Sequence, residues 1–507
     1  MSSELFDIIV IGGGPGGYHA AIRAAQYDAK VALIEKSKIG GTCLNWGCIP
    51  TKALYSSAKL IEDIHEKAKD FGVKITGAPQ IDFGQAVERK NKVVKELVEG
   101  IEQLVKTAKV SLFNGVGSFL GGTTEAGFEI KIDGKEKTTI KGKRIIIATG
   151  SEPAMIPTFN IDHKRILTSD DILSPDFKTV PKRLLVIGGG VIGCEFANIF
   201  TRMGAKVIIL EFLDTILATE EPIVVRELKK KFQEMGIEIY ETQNVLKVES
   251  TGNGVKATTC SAKIPKDQID STEKKMFEAD NCLVSIGRNK VSNNLNLNSI
   301  KVQANRGQIS VNPKTLETNE PGVYAIGDVV GGAMLAHKAS YEGDIAVFNA
   351  LASLGFDDVT PQEPNYNVLP ATIFTSPEIG SVGLREKAAK EKGIKTVVGR
   401  FGYAALGKAK CAGEEQGFMM VVADQETDQI VGASCIGAEA PELISEIALA
   451  MRNGLTCHDI ANTIHSHPTI SEMVLETVED VHGTAIHKAG RRRRKTAVIS
   501  SKSHQST

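Results

Sequence analysis

One pattern occurs twice in this chain. "FDIIVIGGGPGGYHAAIRAAQYDAKVALIEK" begins at Phe6, and "KRLLVIGGGVIGCEFANIFTRMGAKVIILEF" begins at Lys182. Each copy opens with a short β-branched and aliphatic run, the mark of a buried parallel strand. Each continues as G-x-G-x-x-G, through Gly12, Gly14 and Gly17 in the first copy and Gly188, Gly190 and Gly193 in the second. A helix rich in small and apolar residues follows, then a second strand that closes on a glutamate. Glu35 and Glu211 both lie 23 positions after the first glycine of their copy.

Each part of that spacing has a physical use. The first glycine permits a tight turn, the second lets backbone approach a pyrophosphate, and the third lets helix and strand pack closely. The helix N-terminus offers unpaired N–H groups and the positive end of a dipole to phosphate. The closing acid accepts hydrogen bonds from ribose hydroxyls. A lone glycine fingerprint is weak, but two in full strand–helix–strand–Glu context predict two Rossmann-like dinucleotide-binding domains in an α/β protein. No arginine follows Glu211 directly ("LEFLDT"), which favours NAD over NADP, because the carboxylate would repel a 2′-phosphate. Three further apolar runs end in glycine: "RIIIATGS" at 144–151, "CLVSIGRN" at 282–289 and "GVYAIGDV" at 322–329. Asp328 in the last is suited to binding a polyol such as a ribityl chain.

The chain's 507 residues suggest roughly three domains. A net charge of −1 gives no strong pull toward nucleic acid or membrane. No apolar run approaches the ~20 residues of a membrane helix. The N-terminus lacks the basic start of a secretion signal, so an intracellular, cytoplasmic protein is expected.

In a reducing compartment the eight cysteines would be free thiols. Cys194, Cys260, Cys282, Cys411, Cys435 and Cys457 are scattered and read as inert. Cys43 and Cys48, in "GGTCLNWGCIPTK", are different. Pro50 suits a helix's first turn, and "IPTKALYSSAKLIEDIHEKA" then runs helically. That puts Cys48 at the helix start, where the dipole favours a thiolate. Lys52, four residues on, adds positive charge on the same face. Cys43 is placed on the preceding loop, and the residues up to Gly47 let the chain bend back. This set suits a reducible disulfide with one stabilised thiolate. Late in the chain, "IHSHPTISEMVLET" offers His467 with Glu472 opening the next helix, the usual pairing for proton transfer. His465 reads as structural.

These motifs, with "ATGS", "GVYAIGDV", "MLAHKA" and "HSHPTISE", resemble the pyridine nucleotide–disulfide oxidoreductases over about residues 5–490. The resemblance is greatest to the family's dihydrolipoamide-oxidising members. It implies an FAD-binding domain over 1–152 and 283–355, an NAD-binding domain over 153–282, and a C-terminal α+β dimerisation domain over 356–487. It assigns Cys43 and Cys48 as the redox disulfide, His467 as base, Glu472 as its partner and Lys52 beside the flavin, paired with Glu195. For FAD it implies contacts at Gly12, Gly14, Gly17, Glu35, Lys52, Gly117, Thr149, Gly150, Ser151, Asp328, Met334, Leu335, Ala336 and His337. For NAD it implies Gly188, Gly190, Val191, Ile192, Gly193, Glu195, Glu211, Val245 and Gly287. It also implies a homodimer with shared active sites. The substrate it implies is carried on lipoyl domains of 2-oxoacid dehydrogenase complexes or on the glycine cleavage H protein.

The same fold also serves NADPH-dependent reductases of glutathione or trypanothione, which want basic residues near Glu211, and mercuric reductase, which wants paired C-terminal cysteines. A flavin oxidase would lack one redox cysteine. A pure assembly subunit would not need Cys43, Cys48, His467 and Glu472 together. Two segments stand apart from the family pattern. "CSAKIPKDQIDSTEKKMF", 260–277, is expected to be a surface hairpin or loop. From Val481 on there are seven Lys or Arg and no acid, so 488–507 is expected to be a basic, disordered tail.

Overall fold

The computed structural model describes residues 4–135 and 137–489. Its first sheet has the parallel strand order Ser111–Thr123, Val31–Glu35, Leu5–Ile11, Lys137–Ile147, Val323–Ala325. The outer part of Ser111–Thr123 continues in the same six-stranded sheet, as an antiparallel meander with Gly127–Gly134 and Lys137–Ile147. The second sheet repeats the parallel plan in the order Glu238–Tyr240, Lys206–Leu210, Arg183–Ile187, Asn281–Val284, Ile166–Leu167. Ile8, Ile9, Val10, Leu33, Leu185 and Val186 are fully buried, because helices and the antiparallel layers cover both faces of each sheet.

The third sheet is antiparallel, in the order Ala371–Ile373, Ile379–Gly383, Ile430–Ile436, Phe418–Asp424, Thr396–Gly402. Helices Ala440–Arg452 and Glu472–His482 pack on it, burying Ile444, Ile447, Val474 and Val478. "FMMVVAD", "IVGASCIG" and the apolar helix between 440 and 452 therefore form as read from the sequence.

Strand Asn281–Val284 is central to the second sheet, so a domain boundary at 283 cuts through it, and the second unit extends at least to Val284. The run reads as a buried strand in either sheet, so burial alone could not assign it. Cys43 is also not on a loop: it lies in a short helix, Gly41–Trp46, directly before helix Cys48–Lys67. The charged segment 260–277 joins the paired strands Val255–Ser261 and Lys275–Ala279 and is a hairpin. Beyond Ala489, the basic tail lies outside the described residues.

Helix Cys48–Lys67 is the strut between the units. Tyr55 donates to Glu378 Oε1 of the third unit at 3.0 Å. Glu62 pairs with the almost fully buried Arg202 of the second.

Candidate active site

The two glycine fingerprints fold into the same cradle. Gly12 and Gly188 take left-handed backbone, φ +109° and +102°. A Cβ on Gly12 would sit 2.3 Å from Ala148 O, and one on Gly188 would sit 2.4 Å from Ser285 O. Each turn is thus pressed against the end of the neighbouring strand, at the crevice where open α/β sheets take ligands. A Cβ on Gly17 would meet Gly12 O at 1.7 Å, and one on Gly193 would meet Gly188 O at 2.0 Å. The middle glycines, Gly14 and Gly190, have nothing within 4 Å of a Cβ, so their open side is free for a phosphate.

The closing acids repeat as well. Glu35 Oε2 accepts from Gly13 N at 2.6 Å and Oε1 from Ser37 N at 2.7 Å. Glu211 Oε2 accepts from Gly189 N at 2.5 Å and Oε1 from Leu213 N at 2.7 Å. Each carboxylate ties its glycine turn to the end of the second strand. Helices Pro15–Gln26 and Val191–Arg202 start directly after Gly14 and Gly190, with no side-chain cap and no acid in the first turn. Their leading N–H groups suit a phosphate.

A cavity of about 1730 Å³ joins both cradles and reaches Cys43, Cys48 and Lys52. Typical small-ligand pockets hold roughly 300–1,000 Å³, so this one has room for two dinucleotides. The residues fit FAD over the first cradle and NAD over the second. Gly12, Gly14, Glu35, Gly117, Thr149, Gly150, Ser151, Asp328, Met334, Leu335, Ala336 and His337 line the first part. Gly188, Gly190, Val191, Ile192, Glu195, Glu211, Val245 and Gly287 line the second. Gly17 and Gly193 do not line the cavity, because they sit in the helix–strand seam behind it.

Sequence reading missed Trp46, Phe374 and Arg288, which also line the cavity. Arg288 donates to Ser151 Oγ and Ser151 O, both at 2.8 Å, and Ser151 Oγ donates to Asp328 Oδ2 at 2.5 Å. The only sequence signal for Arg288 was its place directly after Gly287.

Cys43 and Cys48 are free thiols joined by a hydrogen bond. That bond, reinforced by burial, pushes the Cys43 thiol far up. The same bond pulls Cys48 down to about 7, with help from Lys52 and against burial and the Glu195 charge. Cys48 is therefore the thiolate of the pair. Lys52 Nζ donates to Glu195 Oε1 and Oε2, both at 2.9 Å, and lies 4.7 Å from the centroid of the Phe374 ring. Burial pushes up the thiols of Cys194, Cys282, Cys435 and Cys457, as inert core cysteines require.

His467 and Glu472 pair at 2.8 Å between Nδ1 and Oε1, and Glu472 Oε2 accepts from Thr469 N at 2.9 Å. Partial burial works against ionisation of Glu472, but these two bonds outweigh it and hold the carboxyl below its usual range. The pair is outside the cavity, with the His467 side chain 75% exposed. Within one chain the structure does not bring this pair to the cysteines. The His465 side chain is only 5% exposed and is bonded to Glu446 at 3.0 Å, a structural placement.

A family model for pyridine nucleotide-disulphide oxidoreductases matches residues 6–343, and that family's dimerisation-domain model matches 369–478. The dihydrolipoyl dehydrogenase of Chlamydia muridarum is 40% identical over 487 residues, covering 96% of this chain and 98% of that protein. That of Bacillus subtilis is 38% identical, covering 96% and 100%. The crystal structure of LpdA from Mycobacterium tuberculosis superposes with a TM-score of 0.84 at 26% identity, covering 93% of this chain and 99% of that one. Escherichia coli RclA, an HOCl-induced flavoprotein disulfide reductase, superposes with a TM-score of 0.79 at 25% identity, covering 93% and 99%. Because the likeness runs through both cradles and on into the third unit, the chain belongs to the pyridine nucleotide-disulphide oxidoreductase family.

Proposed function

We propose that the chain oxidises dihydrolipoamide to lipoamide at the expense of NAD⁺, the activity named for its curated relatives. The observation that carries this reading is the hydrogen-bonded Cys43–Cys48 pair in the same cavity as both dinucleotide cradles. A substrate thiol gives its proton to His467, and Glu472 orients the imidazole and supports its charged form. The thiolate attacks Cys43 of the oxidised pair, the S–S bond breaks, and Cys48 leaves as thiolate while Cys43 carries the mixed disulfide. The second substrate sulfur then displaces Cys43 and passes its proton to that leaving sulfur, which closes the product disulfide and leaves Cys43 as thiol and Cys48 as thiolate. Lys52 holds the Cys48 thiolate and is itself fixed by Glu195. The chemistry that FAD and NAD⁺ supply when bound is acceptance of the electron pair, which restores the Cys43–Cys48 disulfide.

His467 completes the site of the partner subunit in a two-fold homodimer. Support comes from its exposed position outside its own chain's cavity and from the neighbouring Ile464, 97% exposed. The units are assigned as FAD-binding over 1–152 and 285–355, NAD-binding over 153–284, and dimerisation over 356–487. The substrate arrives on lipoyl domains of 2-oxoacid dehydrogenase complexes or on glycine cleavage H protein. Singly buried thiols support a reducing, cytoplasmic location. No helix among the described residues is long and apolar enough to cross a membrane.

The test is turnover by purified protein with NAD⁺ and dihydrolipoamide against NADPH and oxidised glutathione. Activity with the first pair alone is expected. Activity with the second alone would make the chain a different disulfide reductase of the same fold.

A further inference from the structure

Glu342 is 0% exposed, lies on helix Ala336–Ser353 and does not line the cavity. Its Oε2 accepts from Gly327 N at 2.7 Å. Its Oε1 accepts from Tyr366 Oη at 2.6 Å and pairs with Lys338 Nζ at 2.7 Å, one helical turn earlier. Lys338, itself buried, also donates to Gly331 O at 3.3 Å. The ion pair thus grips both ends of the turn Gly327–Val330, the carboxylate at the entering amide and the ammonium at the carbonyl just past it. Asp328 is the second residue of that turn and does line the cavity. The turn starts from left-handed backbone, Gly327 φ +74°, and ends before a second such residue, Gly331 φ +81°.

A buried ion pair is weak evidence for stability, since its desolvation cost cancels much of its attraction. Here both charges act on one short turn, and the third partner, Tyr366, lies near the start of the dimerisation unit, ahead of its first strand at Ala371. Neither Lys338 nor Tyr366 lines the cavity.

We infer that Glu342, Lys338 and Tyr366 form a positioning device for Asp328: they fix the carboxylate that binds the FAD polyol chain and tie its position to the first residues of the dimerisation unit. The inference rests on the proposed FAD site. Asp328 meets the cofactor, whereas Glu342 acts only by holding the backbone that carries Asp328.

The test uses the full-length protein stripped of flavin and reloaded, as wild type, E342Q, Y366F and D328N. FAD affinity is read from flavin fluorescence, and melting temperature is read with and without FAD. Losing a hydrogen bond to a charged group should weaken FAD binding about tenfold in E342Q and severalfold in Y366F. The rise in melting temperature on adding FAD should shrink in both. If E342Q fails to fold, Y366F decides, since it removes one hydroxyl from a residue outside the cavity. Wild-type FAD affinity in E342Q or Y366F, with only the flavin-free protein destabilised, would overturn the device and leave a plain core pin. Wild-type affinity in D328N would instead overturn the FAD-site reading beneath it.

Discussion

Lys52 Nζ sits 2.9 Å from both carboxylate oxygens of Glu195, although 143 residues separate them. The pair links the helix that starts at Cys48 to the helix that follows the second glycine cradle. Its two charges act on Cys48 with opposite sign, Lys52 favouring the thiolate and Glu195 opposing it.

That opposition gives a pH test on the reduced protein. Alkylation at Cys48 by iodoacetamide should rise through pH about 7, the value to which the thiol is lowered. In K52M the stabilising charge is gone and Glu195 remains, so the midpoint should climb by about one unit. In E195Q the opposing charge is gone, and the midpoint should fall or hold while Lys52 loses its anchor. A K52M midpoint at or below the wild-type value would remove Lys52 from thiolate control.

The glycines of one cradle should fail in different ways. G193A drives a Cβ to 2.0 Å from Gly188 O, so its melting temperature should drop by several degrees and NADH binding should go with it. G190A meets nothing within 4 Å, so its melting temperature should match wild type while the KM for NADH rises about tenfold or more, because the methyl fills the pyrophosphate's approach. Calorimetry and steady-state kinetics on the two variants separate packing from binding.

His467 should matter to the substrate half-reaction alone. H467Q should cut dihydrolipoamide turnover by about 10²–10⁴, the usual worth of a positioned acid–base group, and leave flavin reduction by NADH unchanged. Because the residue is outside its own cavity, a mixed dimer of C48S and H467Q subunits should regain activity that neither parent homodimer has. Equal loss in both half-reactions would deny it the role of base.

The site was only partly legible in the sequence, for physical reasons. The cradles were readable because turn, phosphate approach and helix packing each demand glycine at a fixed step, and the helix at Cys48 because Pro50 and a clean amphipathic run mark it. The short helix Gly41–Trp46 was not, since its glycine start and six-residue length carry no periodic signal. The boundary at 283 failed because a strand buried on both faces carries no label for its sheet. Glu342 was invisible: its partners Gly327 and Tyr366 are brought to it by tertiary packing, and an acid on a helix ordinarily reads as a solvated face. The Lys52–Glu195 bond was foreseeable only through the family resemblance.

In the proposed reaction Cys43 and Cys48 open and close as electrons pass between substrate and nicotinamide. Differential alkylation with mass spectrometry of the peptide spanning residues 40–52 tests it directly. The oxidised protein, denatured without reductant, should take no label at either cysteine, and one equivalent of NADH or dihydrolipoamide under anaerobic conditions should make both label fully. Labelling of Cys43 and Cys48 that does not change on reduction would contradict the account.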